Sequence, residues 1–473
     1  MTDVRQRRLL LIGAGHTGRI VAGEYARQAK PAVLVGFLDD DPAKAGLVAG
    51  LPVLGTVQVL ETVVSSYAVD QVIITIPSAK GERLRDISAT CRAIGVDVRT
   101  MPGILELLGQ PLTSRQLRPV EVADLLRRAE VGCDVPPQTY LTGRRVLVTG
   151  AGGSIGRELC RQILLAEPDA LVLLGRGENS IHECLSDLRA EASSTRLRPV
   201  IIDVRNRAAL QRVVAEEAPD VVFHAAAHKH VPLMEAQPAE AVANNVLGTR
   251  NVVDVAAALG VERLVFISSD KAVSPTSVMG ATKRLGEWIV SEAARRVGRP
   301  YLSVRFGNVL GSRGSVVPVL ERQIRRGGPV TLTHPDMRRF FMTIPEAVHL
   351  VLLAGGRGRA DDLFVLDMGE PMSIVELAHD VIRLSGASET IRIEYGGLRP
   401  GEKMVESLWE DGSRLTPVEE SRLFLVEEPA GTLPRGTVAA VLALLNTAAA
   451  NDDAAEVHRI LSDVLPTFTS SQA

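Results

Sequence analysis

The chain has 473 residues, of which 46% are hydrophobic and 23% charged, with a formal net charge of -3. That length exceeds one ordinary core and predicts two or three soluble globular domains, while the near-balanced charge and 3% aromatic content leave no footprint for nucleic acid. No apolar run approaches the roughly 18 residues that span a bilayer, and the N-terminus opens into a strand pattern without a signal-peptide profile. The chain therefore reads as cytoplasmic, with peripheral attachment to the inner membrane face as its one membrane mode.

The first pattern is strand, glycine turn, helix: LLLIGAGHTGRIVAGEYARQ sets Gly13, Gly15 and Gly18 in GxGxxG, and Asp39, Asp40 and Asp41 close the next strand. Alternating strand-like and helix-like stretches as far as VDVRTMP predict a small doubly wound, nucleotide-binding-like domain over residues 1–112. Nothing after VIITIPS carries a proton-transfer constellation, so this domain is either an ancillary nucleotide binder or purely structural. Residues 113–143, with Pro119, Pro136 and Pro137, read as a connector. Cys91, Cys133, Cys160 and Cys184 are widely spaced without a CxxC pair and read as buried free thiols.

A second such pattern opens at Arg144. The run VLVTGAGGSIGRELCRQ places Gly150, Gly153, Ser154, Ile155 and Gly156 between an apolar strand and a helix, where backbone N–H groups at a helix N-terminus receive a pyrophosphate. VLVTG, ALVLLGR, RPVIID, DVVFHAAA, RLVFISS and YLSVRFGN are continuous apolar strands of a parallel sheet covered on both faces. The fold class is α/β, with two Rossmann-type doubly wound domains. The strand ALVLLGR ends in Gly175 and Arg176, where an NAD-preferring fold carries an acid, and an arginine there favours a 2'-phosphate. Glu178 still reaches a ribose, so the cofactor is NADP or NAD, with NADP preferred. Asp203 and Val204 are placed for the adenine, and Ala225, Ala226 and Ala227 pass beneath the cofactor. His224, His228 and His230 lie in HAAAHKH with no cysteine near in sequence, and read as a loop beside the cofactor rather than a metal site.

The stretch SSDKAVSPTSVMGATK then has the outline of a short-chain dehydrogenase active site with methionine at the tyrosine position. Met279 has no proton to give or take, whereas Lys283 follows four residues later on the same helix face. Ser269, Asp270 and Lys271 emerge at the carboxyl end of a parallel strand, where open α/β sheets bind ligands, and they are positioned to take over the proton work. Beyond about residue 311 the composition shifts to the mixed loops and helices of a smaller substrate-binding region ending near residue 430. A helical segment, 431–473, closes the chain. Its apolar faces, with LGEWIVSEAARR, predict a homo-oligomer pairing helices across a two-fold axis.

In VTGAGGSIGRELCRQ, HAAAHKHVPLMEAQPAEAVANNVLGT, ISSDKAVSPTSVMGATKR, VRFGNVLGSRGSVVP and RPGEKMVE, the chain from about Arg144 to Glu427 resembles the polysaccharide biosynthesis nucleotide-sugar 4,6-dehydratases. These are extended short-chain dehydrogenases, and the large members similarly carry methionine at the tyrosine position. The resemblance implies dehydration of a UDP-N-acetylhexosamine, foremost UDP-GlcNAc, to a 4-keto-6-deoxy sugar for capsules, O-antigens or glycans. It also lifts Lys229, Asn308, Ser312, Arg313 and Ser315, and Arg399 with Glu402, into candidate contacts to the diphosphate and uridine ribose.

The residues suggest a mechanism for that reaction. Oxidation at C4 acidifies the C5 proton, Lys271 takes it, protonated Asp270 expels the C6 hydroxyl as water, and hydride returns to C6, leaving the cofactor unchanged. Asp270, directly or through Ser269 or a water, takes the C4 hydroxyl proton, with Lys283 easing the developing charge. Three departures stand against the family pattern: there are no leading membrane helices, Ser269 occupies a position that is commonly threonine, and Gly175 replaces an acid. A C4 epimerase and a non-catalytic nucleotide sensor are the competing readings.

Overall fold

The computed structural model describes residues 6–27, 32–107, 112–125, 139–191, 194–387, 391–419, 421–429 and 437–468. The chain folds into two compact units, Met1–Cys133 and Asp134–Ala473.

In the first unit a seven-stranded sheet runs in the order Gly46–Val48, Leu51–Gly55, Val33–Leu38, Arg8–Ile12, Gln71–Ile74, Asp97–Thr100 and Arg118–Pro119. The inner strands pair in parallel and the two outermost pairs antiparallel. The boundary expected at residue 112 therefore falls inside this unit. Arg118–Pro119 completes the sheet, and the Arg118 guanidinium holds the buried Asp124 at 2.6 Å and Glu106 at 3.1 Å. Two prolines and a polar run read as a connector because a two-residue edge strand leaves no periodicity. Pro136, Pro137 and Cys133 lie outside the described residues.

The second unit is built on a nine-stranded sheet. Its strands are β1 (Arg145–Thr149), β2 (Ala170–Gly175), β3 (Arg196–Ile201), β4 (Val221–His224), β5 (Arg263–Ile267), β6 (Tyr301–Arg305), β7 (Leu363–Leu366), β8 (Arg414–Val418) and β9 (Leu423–Glu427). Their order is β3-β2-β1-β4-β5-β6-β7-β9-β8, parallel through β7 and antiparallel for the last two. The helices used below are α1 (Ser154–Leu164), α2 (Glu178–Arg189), α3 (Gly248–Ala258), α4 (Val278–Val297), α5 (Thr437–Ala450) and α6 (Ala454–Val464). Crossing from β1 outward in both directions puts the switch in strand order between β1 and β4, at whose carboxyl ends a crevice opens.

Residues after 311 do more than cover substrate. They supply β7, β8 and β9, and the helix Ile344–Arg357 packs on α1 within the core of that sheet face. Among the described residues, three short two-stranded pairings and the helices Val316–Arg325 and Ile374–Leu384 stand apart from the main sheet.

Helix α4 carries the candidate residues Met279 and Lys283. Ser277 caps its start by accepting the Gly280 N–H at 3.1 Å, and Gly298, left-handed at φ +64°, ends it. Every residue from Val278 to Ser291 is buried, which an ordinary surface helix cannot be. It packs chiefly on α3, β6 and the 231–247 segment, and α5 and α6 add Val441, Leu442, Leu445, Val457, Ile460 and Leu461 to one cluster with Met279, Leu285, Ile289 and Val290. Each such aliphatic side chain contributes about 1.5–3 kcal/mol on burial. Among the described residues no helix is long and apolar enough to cross a membrane. Cys91, Cys160 and Cys184 are buried free thiols.

Candidate active site

The loop between β1 and α1 is shaped for close approach. A side chain at Gly156 would strike the backbone oxygen of Gly150, so only glycine lets the helix start pack against the turn. Gly150, Gly152, Gly153, Gly175, Arg176, Asp203, Val204, Ala225, Ala226, Ala227 and His228 surround a cleft of about 200 Å³. A glycine cradle at a helix N-terminus, open to a crevice between strand ends, fits the diphosphate and adenosine half of a dinucleotide.

At the cleft's outer end Asp203 is bound by Arg205, whose Nη2 donates at 2.6 Å and whose backbone N–H donates at 2.9 Å, and these bonds lower the Asp203 pKa. Arg205 also holds Glu240 at 2.9 Å, and Arg176 stands 3.8 Å from the same carboxylate with its guanidinium half exposed. Glu178 begins α2 but does not line the cleft. Ser154 accepts the Arg313 N–H at 3.1 Å, joining the glycine turn to the GNVLGSRGS loop. His224 is buried between Thr149 Oγ1 at 2.7 Å and Thr249 Oγ1 at 2.9 Å, and burial, aided by Lys283, pushes its pKa down to about 3. His228 pairs with Glu240 at 3.1 Å.

The catalytic candidates converge at the end of β5. Ser269 caps a single 3-10 turn, Asp270–Ala272, whose Asp270 N–H donates to Phe306 O at 3.0 Å on the β6 side. Gly280 brings the start of α4 onto this turn, because a Cβ there would collide with Lys271 O. Asp270 is fully buried. Its Oδ1 accepts from Ser269 Oγ and from Lys271 Nζ, both at 2.9 Å, and its Oδ2 has no hydrogen-bond partner among the described residues. A buried carboxylate oxygen left without a partner is costly. Lys271 also donates to Asn308 Oδ1 at 3.4 Å. Burial alone would lower the Lys271 pKa, yet the carboxylates of Asp270 and Glu406 outweigh it and raise it.

Lys283 is buried on α4 with its ammonium donating to Ile267 O at 2.7 Å and lying 4.7 Å from the centre of the Phe266 ring. Burial pushes its pKa down to about 8 against the pull of Glu287. Met279, one turn earlier, is 2% exposed and packs in the core of α4.

Among the residues expected to meet a substrate, Lys229 donates to Ser312 Oγ at 3.2 Å, Arg313 pairs with Glu183 at 2.9 Å, and Ser315 Oγ is buried without a partner among the described residues. Arg399 is exposed and is tied to Glu402 by its backbone N–H at 3.4 Å. It is the far end of RPGEKMVE that approaches Lys271: Glu406, buried, lies 4.0 Å from its Nζ. Sequence reading missed Glu406, since a glutamate in a polar loop is indistinguishable from a solvated one.

It also missed a buried four-charge cluster under the turn. Arg305 donates to both oxygens of Glu287 at 2.7 Å and to Glu428 at 2.7 Å, while Arg284 grips Glu428 with two 2.7 Å bonds and Glu287 with one at 3.0 Å. Ser268 Oγ donates to Glu287 at 2.6 Å, tying the cluster to the end of β5. Burial would raise the Glu287 pKa, but Arg305, Arg284 and Ser268 hold it at about 2.

Comparison with known proteins agrees with this architecture. A family model described as polysaccharide biosynthesis protein matches residues 146–428, and one described as a CoA-binding domain matches residues 4–102. The chain is 46% identical over 406 residues to the probable polysaccharide biosynthesis protein EpsC of Bacillus subtilis, covering 85% of this chain and 68% of that protein. It is 45% identical over 415 residues to the capsular polysaccharide biosynthesis protein CapD of Staphylococcus aureus, covering 86% and 69%. A UDP-glucose 4-epimerase of Rickettsia akari is 37% identical over 273 residues, 56% of this chain and 77% of that one. The chain belongs to the polysaccharide biosynthesis protein family.

Proposed function

We propose that the chain dehydrates a UDP-N-acetylhexosamine, foremost UDP-GlcNAc, to a UDP-4-keto-6-deoxy sugar. The observation that carries this reading is the buried Asp270–Lys271 pair, joined at 2.9 Å at the strand end with one carboxylate oxygen unpartnered among the described residues. Elimination of water needs an acid for the C6 hydroxyl and a base for the C5 proton, and a neighbouring carboxyl and amine are suited to those tasks.

NAD(P), held by Gly150, Gly153, Ser154 and Gly156 at its diphosphate and by Asp203, Val204 and Ala225 to Ala227 at its adenosine half, would take hydride from C4 and return it at C6. The half-exposed Arg176 at the end of β2 supports NADP over NAD. Asp270 as carboxylate accepts the C4 hydroxyl proton, with Ser269 as its hydrogen-bonded neighbour, and then gives that proton to the departing C6 hydroxyl. Lys271 as amine takes the C5 proton and later returns it. Lys283, charged and buried beside the β5 end, stabilises negative charge developing near C4. Lys229, Asn308, Ser312, Arg313 and Ser315 form the substrate-side wall.

The identity to a protein named UDP-glucose 4-epimerase favours a second reading, inversion at C4. Epimerisation shares the C4 oxidation and so the role of Asp270, but it leaves Lys271 without a C5 proton to take, so dehydration is preferred. Mass spectrometry of UDP-GlcNAc incubated with protein and cofactor separates the two. Loss of one water, abolished by Lys271→Ala, is the expected result, whereas unchanged mass with inverted C4 refutes dehydration and no turnover of any UDP-hexose leaves a binding protein.

A further inference from the structure

The 399–410 loop is strapped onto the segment that joins the catalytic turn to α4. Lys403 Nζ donates to Val273 O at 2.7 Å, Thr276 Oγ1 to Gly401 O at 3.2 Å, and the Ser274 N–H to Glu410 at 2.6 Å. From the other side Arg339 donates to Met404 O at 3.0 Å. This strap carries Glu406 into the site at 5% exposure. One of its oxygens lies 4.0 Å from Lys271 Nζ, and the other lies 3.7 Å from Lys403 Nζ without any hydrogen bond among the described residues. A structural ion pair buried to this degree closes to about 2.7–2.9 Å. Glu406 is instead held just short of two ammonium groups, with an oxygen to spare.

The proton count of the proposed dehydration, on which this inference rests, has a place for such a group. At rest the pair is a carboxylate and an ammonium. When Asp270 accepts the C4 hydroxyl proton it becomes the acid needed at C6, but Lys271 still holds its proton and has no lone pair for C5. Among the described residues, the groups bonded to or charged against its Nζ are Asp270, Asn308, Glu406 and, through its charge, Arg339 of the strand Arg338–Arg339. Asp270 is by then protonated, an amide is not a base at neutral pH, and Arg339 is a cation.

We infer that Glu406 is the positioning residue that relieves Lys271 of its proton. An N–H bond at Nζ breaks, an O–H bond on Glu406 forms, and two opposite buried charges vanish together. The freed amine takes the C5 proton while Asp270 delivers its own to the C6 hydroxyl, which leaves as water. Once C6 has received hydride, Lys271 returns the proton to C5 and recovers its own from Glu406, so the cluster ends as it began. A closure of about 1 Å brings Lys271 and Glu406 to hydrogen-bond length.

Two measurements on the full-length protein test this. Competitive acetylation with acetic anhydride, read at Lys271 by peptide mass spectrometry with exposed Lys80 as internal reference, requires no turnover. Glu406→Gln should label Lys271 roughly tenfold faster at fixed pH, because the resting ammonium loses a carboxylate and its neutral fraction rises, a fraction still too small to replace the lost proton acceptor, while Glu406→Asp stays close to wild type. In D2O with UDP-GlcNAc and cofactor, Glu406→Gln should slow deuterium entry at C5 roughly 100-fold and retain a burst of reduced nicotinamide from C4 oxidation. Equal labelling in wild type and Glu406→Gln overturns the inference, as does unchanged deuterium entry. If the wild type turns over no UDP-hexosamine, the dehydration reading falls by itself, and labelling alone then decides whether Glu406 governs Lys271.

Discussion

Replacing Arg305 with methionine tests the four-charge cluster beneath the catalytic turn. The wild-type cluster pairs two guanidinium groups with two carboxylates, all at least nine-tenths shielded from water. Arg305→Met removes two 2.7 Å bonds to Glu287 and one to Glu428, leaving Arg284 as the remaining cation of that cluster against two buried carboxylates. Stranding a buried charge in this way costs about 3–5 kcal/mol. The chain's two tryptophans, Trp288 and Trp409, both lie in the 134–473 unit, so tryptophan fluorescence during urea unfolding follows that unit alone. Arg305→Met together with Glu287→Gln restores the charge balance and should recover at least half of the lost stability. A loss below about 1 kcal/mol in the single variant, or a double variant no more stable than the single one, would refute the view that charge balance rather than packing volume holds the cluster.

Three further outcomes follow from the cleft and its surroundings. Gly156→Ala should weaken NADP and NAD binding by roughly tenfold or more in calorimetric titration, because the new Cβ displaces Gly150 from the cradle. Arg176→Ala should lower NADP affinity by roughly tenfold while changing that of NAD by less than about twofold, and equal losses would remove Arg176 from the 2'-phosphate. His224 favours the neutral ring in the fold, with a pKa of about 3 against an ordinary 6.5. The unfolded chain therefore takes up this proton first as the medium acidifies. Stability is full above pH 6.5 and falls by about 5 kcal/mol on descent toward pH 3, and His224→Gln should flatten that part of a urea-stability profile against pH.

The parts of the fold legible in sequence are those carried by local pattern. Six apolar runs became β1 to β6, most of them because a parallel sheet covered on both faces demands uninterrupted hydrophobic strands, while β3, at the sheet edge, buries only Val200. The glycine spacing around Gly150, Gly153 and Gly156 located the cleft for the same local reason, and Ser269, Asp270 and Lys271 were found because a strand end is itself a pattern. What stayed hidden depends on distance along the chain. Arg305 meets Glu428 across 123 residues and Arg284 meets it across 144, and neither partner signals the other. Glu406 acquires its meaning only when the strap brings it to Lys271. The two-residue strand Arg118–Pro119 is too short for any period, so the edge of the first sheet read as linker.

The burial of α4 sets an order of events during synthesis. The first unit has all seven of its strands once residue 119 has emerged from the ribosome, and its sheet can close then. Helix α4 waits far longer. Residues from Val278 to Ser291 stay partly bare until α5 and α6, residues 437–464, arrive to cover them. Through that interval a nascent chain carries a finished domain beside a greasy, half-clad one, which makes the second unit the natural client of holding chaperones and the casualty of any premature stop.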